Sequence, residues 1–250
     1  VGQAGTLDLF KLYNESTISG TEKPIELSRI LVKFDLDNIT YMHNQGDIDV
    51  SDPSFKSVLK LHDVYGGQTT PKNFKCIVFP LAKEFDEGTG YDIVNFNDLD
   101  STNFITASYT GATTKKWALP GAMKSGSLAQ AASIDVIVSG TIPGQSSASS
   151  LSYEQLFKTG EEDLEIDITS FVSASVKGLI PNKGLLVALS GSYEKDTNSY
   201  FVKRFASRNS ANTSKRPKII VKFNDAIEDN HCNFTFDTSG SLYLSNQVRG

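Results

Sequence analysis

The residues that could perform chemistry are few in this chain, and they fall into no catalytic or metal-binding pattern. Three histidines, His43, His62 and His231, are scattered along the 250 residues. The sequence contains no H-x-x-x-H, C-x-x-C or EF-hand pattern, no nucleophile elbow and no glycine-rich phosphate loop. It therefore predicts no catalytic residue, no structural metal site and no cofactor.

Two acidic clusters, at 84–87 and 161–163, could bind a hard cation through carboxylate oxygens. Clusters of this kind are more often solvated turn residues, and we favour that interpretation. A glycosidase pair needs two carboxylates at a defined separation, which a sequence does not provide. An enzyme is therefore the least favoured class of function.

Three aromatic residues of the long middle region, Tyr91, Tyr109 and Trp117, are the candidates for a ligand-binding platform. A sugar packs the C–H face of its ring on an aromatic side chain while polar groups fix its hydroxyls. Trp117 is the single tryptophan, and lone aromatic residues in loops are more often structural anchors. We favour the anchor and keep the platform as the alternative.

Composition excludes two classes of partner. The formal net charge of −5 provides no basic field, so nucleic acid is not expected as a partner. No apolar run approaches the roughly 18 residues that a membrane helix needs. Of the two cysteines, Cys76 lies in the apolar run FKCIVF and is expected to be buried, and Cys232 is far from it. A disulfide between them is not favoured.

Short β-type runs separated by polar turns dominate the chain and are typical of a sandwich or barrel. Ile30, Val32, Phe34 and Leu36 alternate with Arg29, Leu31, Lys33 and Asp35, which predicts a strand with one buried face and one that carries charge. An entirely apolar run at 185–190 predicts the centre of a sheet. Further strands are predicted at 6–13, 25–36, 55–64, 74–81, 133–138, 164–168, 199–206 and 217–223.

One short helix is predicted after Thr169, whose hydroxyl is expected to cap it, and Gly178 and Pro181 are expected to end it. The polar segment 37–53 is interpreted as a connection. Residues 141–150, TIPGQSSASS, predict an exposed flexible loop.

The order of motifs in the second half resembles one family. A strand ends in Arg204-Phe205, followed by Ser207-Arg208, a polar loop, Arg216-Pro217-Lys218 and an apolar strand. This is similar to the last two strands of the DNRLRE-type β-sandwich modules, which are related to some carbohydrate-binding modules. Ala206 and Asn209 depart from the family pattern. Upstream passages that also resemble the family lie at 28–36, 85–88, 167–169 and 182–186.

The resemblance also implies a structural ion pair. Glu194 stands where the related modules often have an acid, and it is expected to face Arg204 or Arg208. Arg29, beside the predicted core strand, is a further candidate partner. We favour a charge pair that fixes a loop over a ligand contact.

These observations predict an all-β fold, an antiparallel β-sandwich of jelly-roll type with one short helix and long loops. We expect it to span residues 1–224, with 225–250 forming a linker and the start of a following β element.

The functional hypothesis is a non-enzymatic structural or interaction module of a larger assembly. The composition, rich in Asn, Ser, Lys and Asp and poor in Trp and Met, resembles that of marine phage proteins. A phage virion structural protein of the capsid, tail or baseplate is therefore our first hypothesis, with other subunits as partners and a homo-oligomer expected. The alternative is a carbohydrate-binding module of an extracellular or cell-surface protein, with a glycan as its partner.

Overall fold

A computed structural model describes residues 2–13, 24–64, 70–91, 101–109, 114–142 and 146–224. Within these ranges the protein is an antiparallel β-sandwich with three short α-helices. The predicted element at 225–250 lies outside the described residues, and the jelly-roll type of connection stays a prediction. The strands are β1 (Thr6–Tyr13), β2 (Pro24–Leu27), β3 (Ile30–Val32), β4 (Lys56–Leu61), β5 (Phe74–Pro80), β6 (Thr106–Ser108), β7 (Lys115–Lys116), β8 (Ser125–Ser127), β9 (Val136–Thr141), β10 (Ala148–Ser150), β11 (Tyr153–Phe157), β12 (Leu164–Asp167), β13 (Leu185–Leu189), β14 (Tyr200–Ala206) and β15 (Lys218–Lys222).

Two layers of strands form the sandwich. One layer is the four-stranded sheet β11-β5-β13-β3. The other consists of β14-β1-β2 and β12-β4-β15, which are connected where Asp63 pairs with Phe205. A smaller sheet, β10-β9-β8, and the pair β6-β7 extend from this framework, and β8 and β9 are parallel.

The core lies between the two layers because each strand directs alternate side chains inward. The β5 side chains alternate in burial, with Phe74, Cys76 and Val78 inside. The Phe74 ring stacks on Phe157 of the same layer at 5.0 Å between centroids, and it lies 5.9 Å from Tyr200 of the opposite layer. Burial also raises the pKa of the Cys76 thiol, which is a free cysteine.

A second apolar cluster covers the outer face of the four-stranded sheet. Leu186 and Ala188 of β13 point into it, together with Trp117 and Val136. All five residues of β13 are therefore buried, although neighbouring residues face opposite sides of the sheet. This is the reason that the sequence of this strand is entirely apolar.

The predicted strand at 25–36 is two strands that belong to different sheets. β2 pairs with β1 and β3 pairs with β13, so the chain crosses between the layers at Ser28 and Arg29. The Ser28 hydroxyl accepts the Phe10 N–H at 2.8 Å and donates to the Asp8 carbonyl at 2.9 Å, which replaces the interrupted backbone ladder. The predicted buried face is present at Ile30, Val32 and Leu36, whereas Phe34 is half-buried against the core.

Three helices are present in the described chain, where one was predicted. They are α1 (Asp37–Gln45), α2 (Thr169–Val176) and α3 (Gly191–Lys195). The first lies in the segment that was interpreted as a connection, and Gly46 ends it in the left-handed conformation, with φ of 86°. None of these helices is long and apolar enough to cross a membrane.

Two local predictions were wrong. The Thr169 hydroxyl does not cap α2; it accepts the Ser57 N–H and donates to Asp167, whose carboxylate also accepts the Thr169 N–H at 2.9 Å. The segment 141–150 is not a loop throughout, because β10 pairs with β9 in antiparallel register, Ser149 opposite Gly140. Small side chains on both strands allow this pairing despite the low sequence complexity.

Candidate functional site

Four large apolar side chains are exposed on two adjacent loops beside the four-stranded sheet. Phe104, Ile105, Leu119 and Met123 are each between 46% and 57% exposed. We call these four residues the apolar patch. Single exposed apolar residues are common on protein surfaces, but grouped ones mark interaction sites.

Backbone hydrogen bonds hold the two loops of the apolar patch together. The Gly121 N–H donates to the Phe104 carbonyl at 2.5 Å, and the Trp117 N–H donates to the Ile105 carbonyl at 3.0 Å. Gly121 has a φ of 76°, and a Cβ there would lie 2.5 Å from the Phe104 ring. The position therefore requires glycine.

A buried carboxylate organises the second loop. Asp135 has no solvent exposure, and its oxygens accept the backbone N–H groups of Ala118 at 2.6 Å, Leu119 at 3.0 Å and Lys124 at 3.1 Å. The Lys83 ammonium lies 3.0 Å from the same carboxylate. These bonds compensate the charge and turn the chain, so that Leu119 and Met123 face solvent on a fixed backbone.

The predicted platform residues are arranged in a different way from a sugar-binding surface. Trp117 is only 6% exposed, and its indole N–H donates to the Asn103 carbonyl at 2.9 Å. The Tyr109 hydroxyl is 3.2 Å from the Asn103 amide, so these two rings share one polar partner. Tyr91 is exposed, and no hydrogen bond in the described chain joins it to the other two. Trp117 thus anchors the loop beneath the apolar patch.

The predicted ion-pair residues form three separate pairs. Glu194 accepts from Arg29 through both carboxylate oxygens, at 3.1 Å and 2.7 Å, and both side chains are about nine-tenths buried. Arg204 and Arg208 do not face Glu194. Arg204 pairs with Asp8 at 3.1 Å, and Arg208 pairs with Glu87 at 2.6 Å.

The Arg29–Glu194 pair supports the apolar patch directly. The third donor of the Arg29 guanidinium bonds to the Gly121 carbonyl, and the guanidinium carbon lies 5.9 Å from the centre of the Phe104 ring. The arginine that the sequence placed beside the core strand therefore positions the loop from which Phe104 projects.

Two completely buried lysines, Lys203 and Lys11, were not identified as candidate site residues from the sequence. The Lys203 ammonium donates to Asp63 at 2.5 Å and to the carbonyls of Gly160 and Glu162 at 2.8 Å. All three of its N–H donors have partners, and the rings of Phe157 and Phe205 lie 5.2 Å and 5.0 Å away. An ammonium with three oxygen partners and no free face has a structural role.

Lys11 is buried in a similar oxygen site. It donates to Asp196 at 2.5 Å and to the Tyr193 carbonyl at 2.6 Å. The Tyr200 hydroxyl donates to the same carboxylate at 2.5 Å. Burial, and then this hydrogen bond to Asp196, raises the pKa of Tyr200 to about 12. Both lysines are two residues from an inward apolar side chain, which is the one sequence signal that could have identified them.

The acidic clusters hold loops together. Burial would raise the pKa of Glu162, but its carboxylate accepts the N–H groups of residues 158–160, and the net result is a pKa of about 2. Asp86 accepts the Tyr109 N–H at 2.5 Å. Within the described ranges, no group of three or more histidine, cysteine or acidic side chains could hold a metal ion.

An open recess of about 360 Å³ lies between the loop after α1 and the start of α2. Its walls include Val50, Asp52, Phe55, Ile142 and Thr169. Charged side chains, Lys56 and Asp167, also line it, so the recess is polar as well as apolar.

No protein-family model, curated protein or solved structure matched this chain.

Proposed function

We propose that the protein is a non-enzymatic structural module that binds another subunit of a larger assembly through the apolar patch. The observation that carries this proposal is the grouping of Phe104, Ile105, Leu119 and Met123 on two loops that share backbone hydrogen bonds. Aromatic residues and methionine are enriched at the centres of protein interfaces. The patch is also fixed in advance by Asp135 and Arg29, which reduces the entropy lost on binding.

Within this class, a phage virion subunit is the more specific proposal. Its support is the composition of the chain, rich in Asn, Ser, Lys and Asp. The carbohydrate-binding alternative has less support, because Trp117 is buried and its ring face is not offered to a ligand.

The test is incorporation into assembled particles. The patch variant, Phe104→Ser with Leu119→Ser, should lose incorporation because it removes half of the apolar patch and leaves the core intact. The matched control, Leu156→Ser with Leu179→Ser, changes two leucines of 45% and 47% exposure elsewhere on the surface. Particles are separated from free protein on a density gradient, and the chain is quantified by mass spectrometry.

Incorporation of the patch variant at the level of the wild-type protein would contradict the proposal. If purified particles lack the chain and the isolated protein binds defined polysaccharides on a glycan array, the carbohydrate-binding alternative is correct. A thermal melt of each variant checks that the fold is retained.

A further inference from the structure

We propose that the partner of the apolar patch is a second copy of this chain, bound through an acidic surface around α1. This inference rests on the proposed function and names the occupant of the same patch. Three features support it: a basic rim beside the patch, an acidic surface with complementary charge, and an exposed aromatic side chain on that acidic surface.

The basic rim consists of Lys115, Lys116 and Lys124, which are exposed at both ends of the loop that carries Leu119 and Met123. Residues 114–124 contain no acidic residue, although the chain as a whole has a net charge of −5. Among the described residues, none of the three ammonium groups has an ion-pair partner. These three lysines therefore give the patch a positively charged rim.

The acidic surface is the segment 35–54, which itself has no lysine or arginine, although the Lys177 ammonium donates to the Ser51 hydroxyl at its edge. Its five aspartates are all exposed, and no described side chain forms an ion pair with them: Asp35, Asp37, Asp47, Asp49 and Asp52. The backbone fixes three of them. Asp35, Asp49 and Asp52 each accept one backbone N–H through one carboxylate oxygen, at 2.8, 2.8 and 2.7 Å, which holds the three exposed carboxylates in place.

The same segment offers apolar contact. Tyr41 projects from α1 with 64% of its surface exposed. The recess of about 360 Å³ is partly built from this segment, with Val50, Ser51 and Asp52 in its wall. An interface needs an apolar centre in addition to complementary charge, and here the exposed ring of Tyr41 is the apolar group that can pack on the patch of the partner copy.

The two surfaces lie at opposite ends of β3. Arg29, which precedes β3, contacts Gly121 and Phe104 at the patch, whereas α1 begins after β3 at Asp37. No ion pair joins the two surfaces within the described chain, so both remain available for a contact between molecules.

The contact is consequently heterologous, patch of one copy to acidic surface of the next. A symmetric contact between two patches would bring two sets of lysines together, which is unfavourable. Head-to-tail contacts generate rings or filaments, as a repeated subunit of a larger assembly requires.

Sedimentation velocity tests this inference. The wild-type protein is measured from about 1 µM to about 300 µM, which covers the affinities of weak interfaces. We expect association that weakens by about tenfold or more when the salt is raised from about 50 mM to about 500 mM.

Two charge-reversal variants, Lys116→Glu with Lys124→Glu and Asp37→Lys with Asp47→Lys, should each remain monomeric. The four substitutions combined should restore association, because both surfaces are then reversed.

A mixture identifies the heterologous geometry. The Phe104→Ser, Leu119→Ser variant keeps its acidic surface, and the Asp37→Lys, Asp47→Lys variant keeps its patch. Their equimolar mixture should therefore stop at a one-to-one dimer. The control, Lys158→Glu with Lys222→Glu, makes the same charge change at exposed lysines elsewhere and should associate like the wild type.

A wild-type protein that is monomeric throughout, or a four-substitution variant that stays monomeric, overturns the inference. If either result appears while the patch variant still loses incorporation into particles, the proposed function stands and a different subunit occupies the patch.

Discussion

The Lys203 ammonium lies 2.5 Å from the Asp63 carboxylate in the interior of the sandwich, where the lysine side chain has no solvent exposure. Asp63 follows β4 and Lys203 belongs to β14, so this pair connects the two halves of one layer of strands. The two remaining donors of Lys203 reach the carbonyls of Gly160 and Glu162. One side chain therefore joins three segments that are distant in sequence.

Lys203→Met should lower the free energy of unfolding by about 3–5 kcal/mol, because it leaves Asp63 as an uncompensated buried charge. Urea denaturation followed by circular dichroism measures this. Lys222→Met, at an exposed position on β15, is the control and should cost less than about 0.5 kcal/mol. Adding Asp63→Asn to Lys203→Met should recover part of the loss. Equal stability of the two single variants would show that Lys203 is not a structural charge.

Arg29→Lys should destabilise the protein by about 1–3 kcal/mol, since lysine cannot reproduce the two parallel hydrogen bonds to Glu194. Arg208→Lys is the matched control, because its pair with Glu87 is largely exposed. We expect it to cost about 0.5 kcal/mol or less. Arg29 also bonds to the Gly121 carbonyl, so its substitution should weaken incorporation into particles as well. Retained incorporation together with lost stability would separate Arg29 from the apolar patch.

The lowered pKa of Glu162 predicts that the stability of the protein falls within a defined acidic pH range. Its pKa is about 2 in the folded protein against an ordinary value of 4.5, so its stabilising effect is fully present above pH 4.5 and is lost as the pH falls through about 2. Glu162→Gln should flatten this part of the curve while it keeps an oxygen for the N–H groups of residues 158–160. Urea midpoints measured across this range provide the comparison. Parallel curves for the wild type and the variant would contradict the assignment.

The alternation of apolar residues was sufficient to predict the class of fold and the buried face of β3, because burial on one side of a sheet imposes a period of two. It could not show that the chain changes sheet at Ser28, since the serine hydroxyl replaces a backbone partner without altering the pattern. Lys11 and Lys203 were missed for a related reason. Lysine is rarely buried, and their partners Asp196 and Asp63 lie 185 and 140 residues away along the chain.

The apolar patch shows why the sequence alone could not predict which loop residues are exposed. Trp117 is buried and Leu119, two residues later, is exposed. No periodicity separates them, because the difference arises from the Asp135 carboxylate, which accepts the N–H groups of Ala118 and Leu119 and turns the chain. The sequence identified Trp117 as a candidate, and only the contacts of its indole ring decide in which direction the ring faces.

Trp117 provides the last prediction, which distinguishes an anchor from a ligand platform. Its ring fills the cluster on the outer face of the four-stranded sheet, and its indole N–H bonds to the Asn103 carbonyl. Trp117→Ala should therefore cost about 3–5 kcal/mol, as other large-to-small changes in a core do. Trp117→Phe keeps most of the apolar cover and removes the hydrogen bond, so it should lower the free energy of unfolding by about 1 kcal/mol.

Tyr91→Ala is the comparison, since Tyr91 was another of the three platform candidates and its ring is exposed. Its cost should stay within about 0.5 kcal/mol. Unfolding is followed by circular dichroism, because the tryptophan signal is absent from two of the three variants. If Trp117 supports the loop, Trp117→Ala should lower the free energy of unfolding most, Trp117→Phe less and Tyr91→Ala least. If the Trp117→Ala variant had the stability of the wild-type protein, the indole ring would not support the loop. The ligand platform would then be the better interpretation of Trp117.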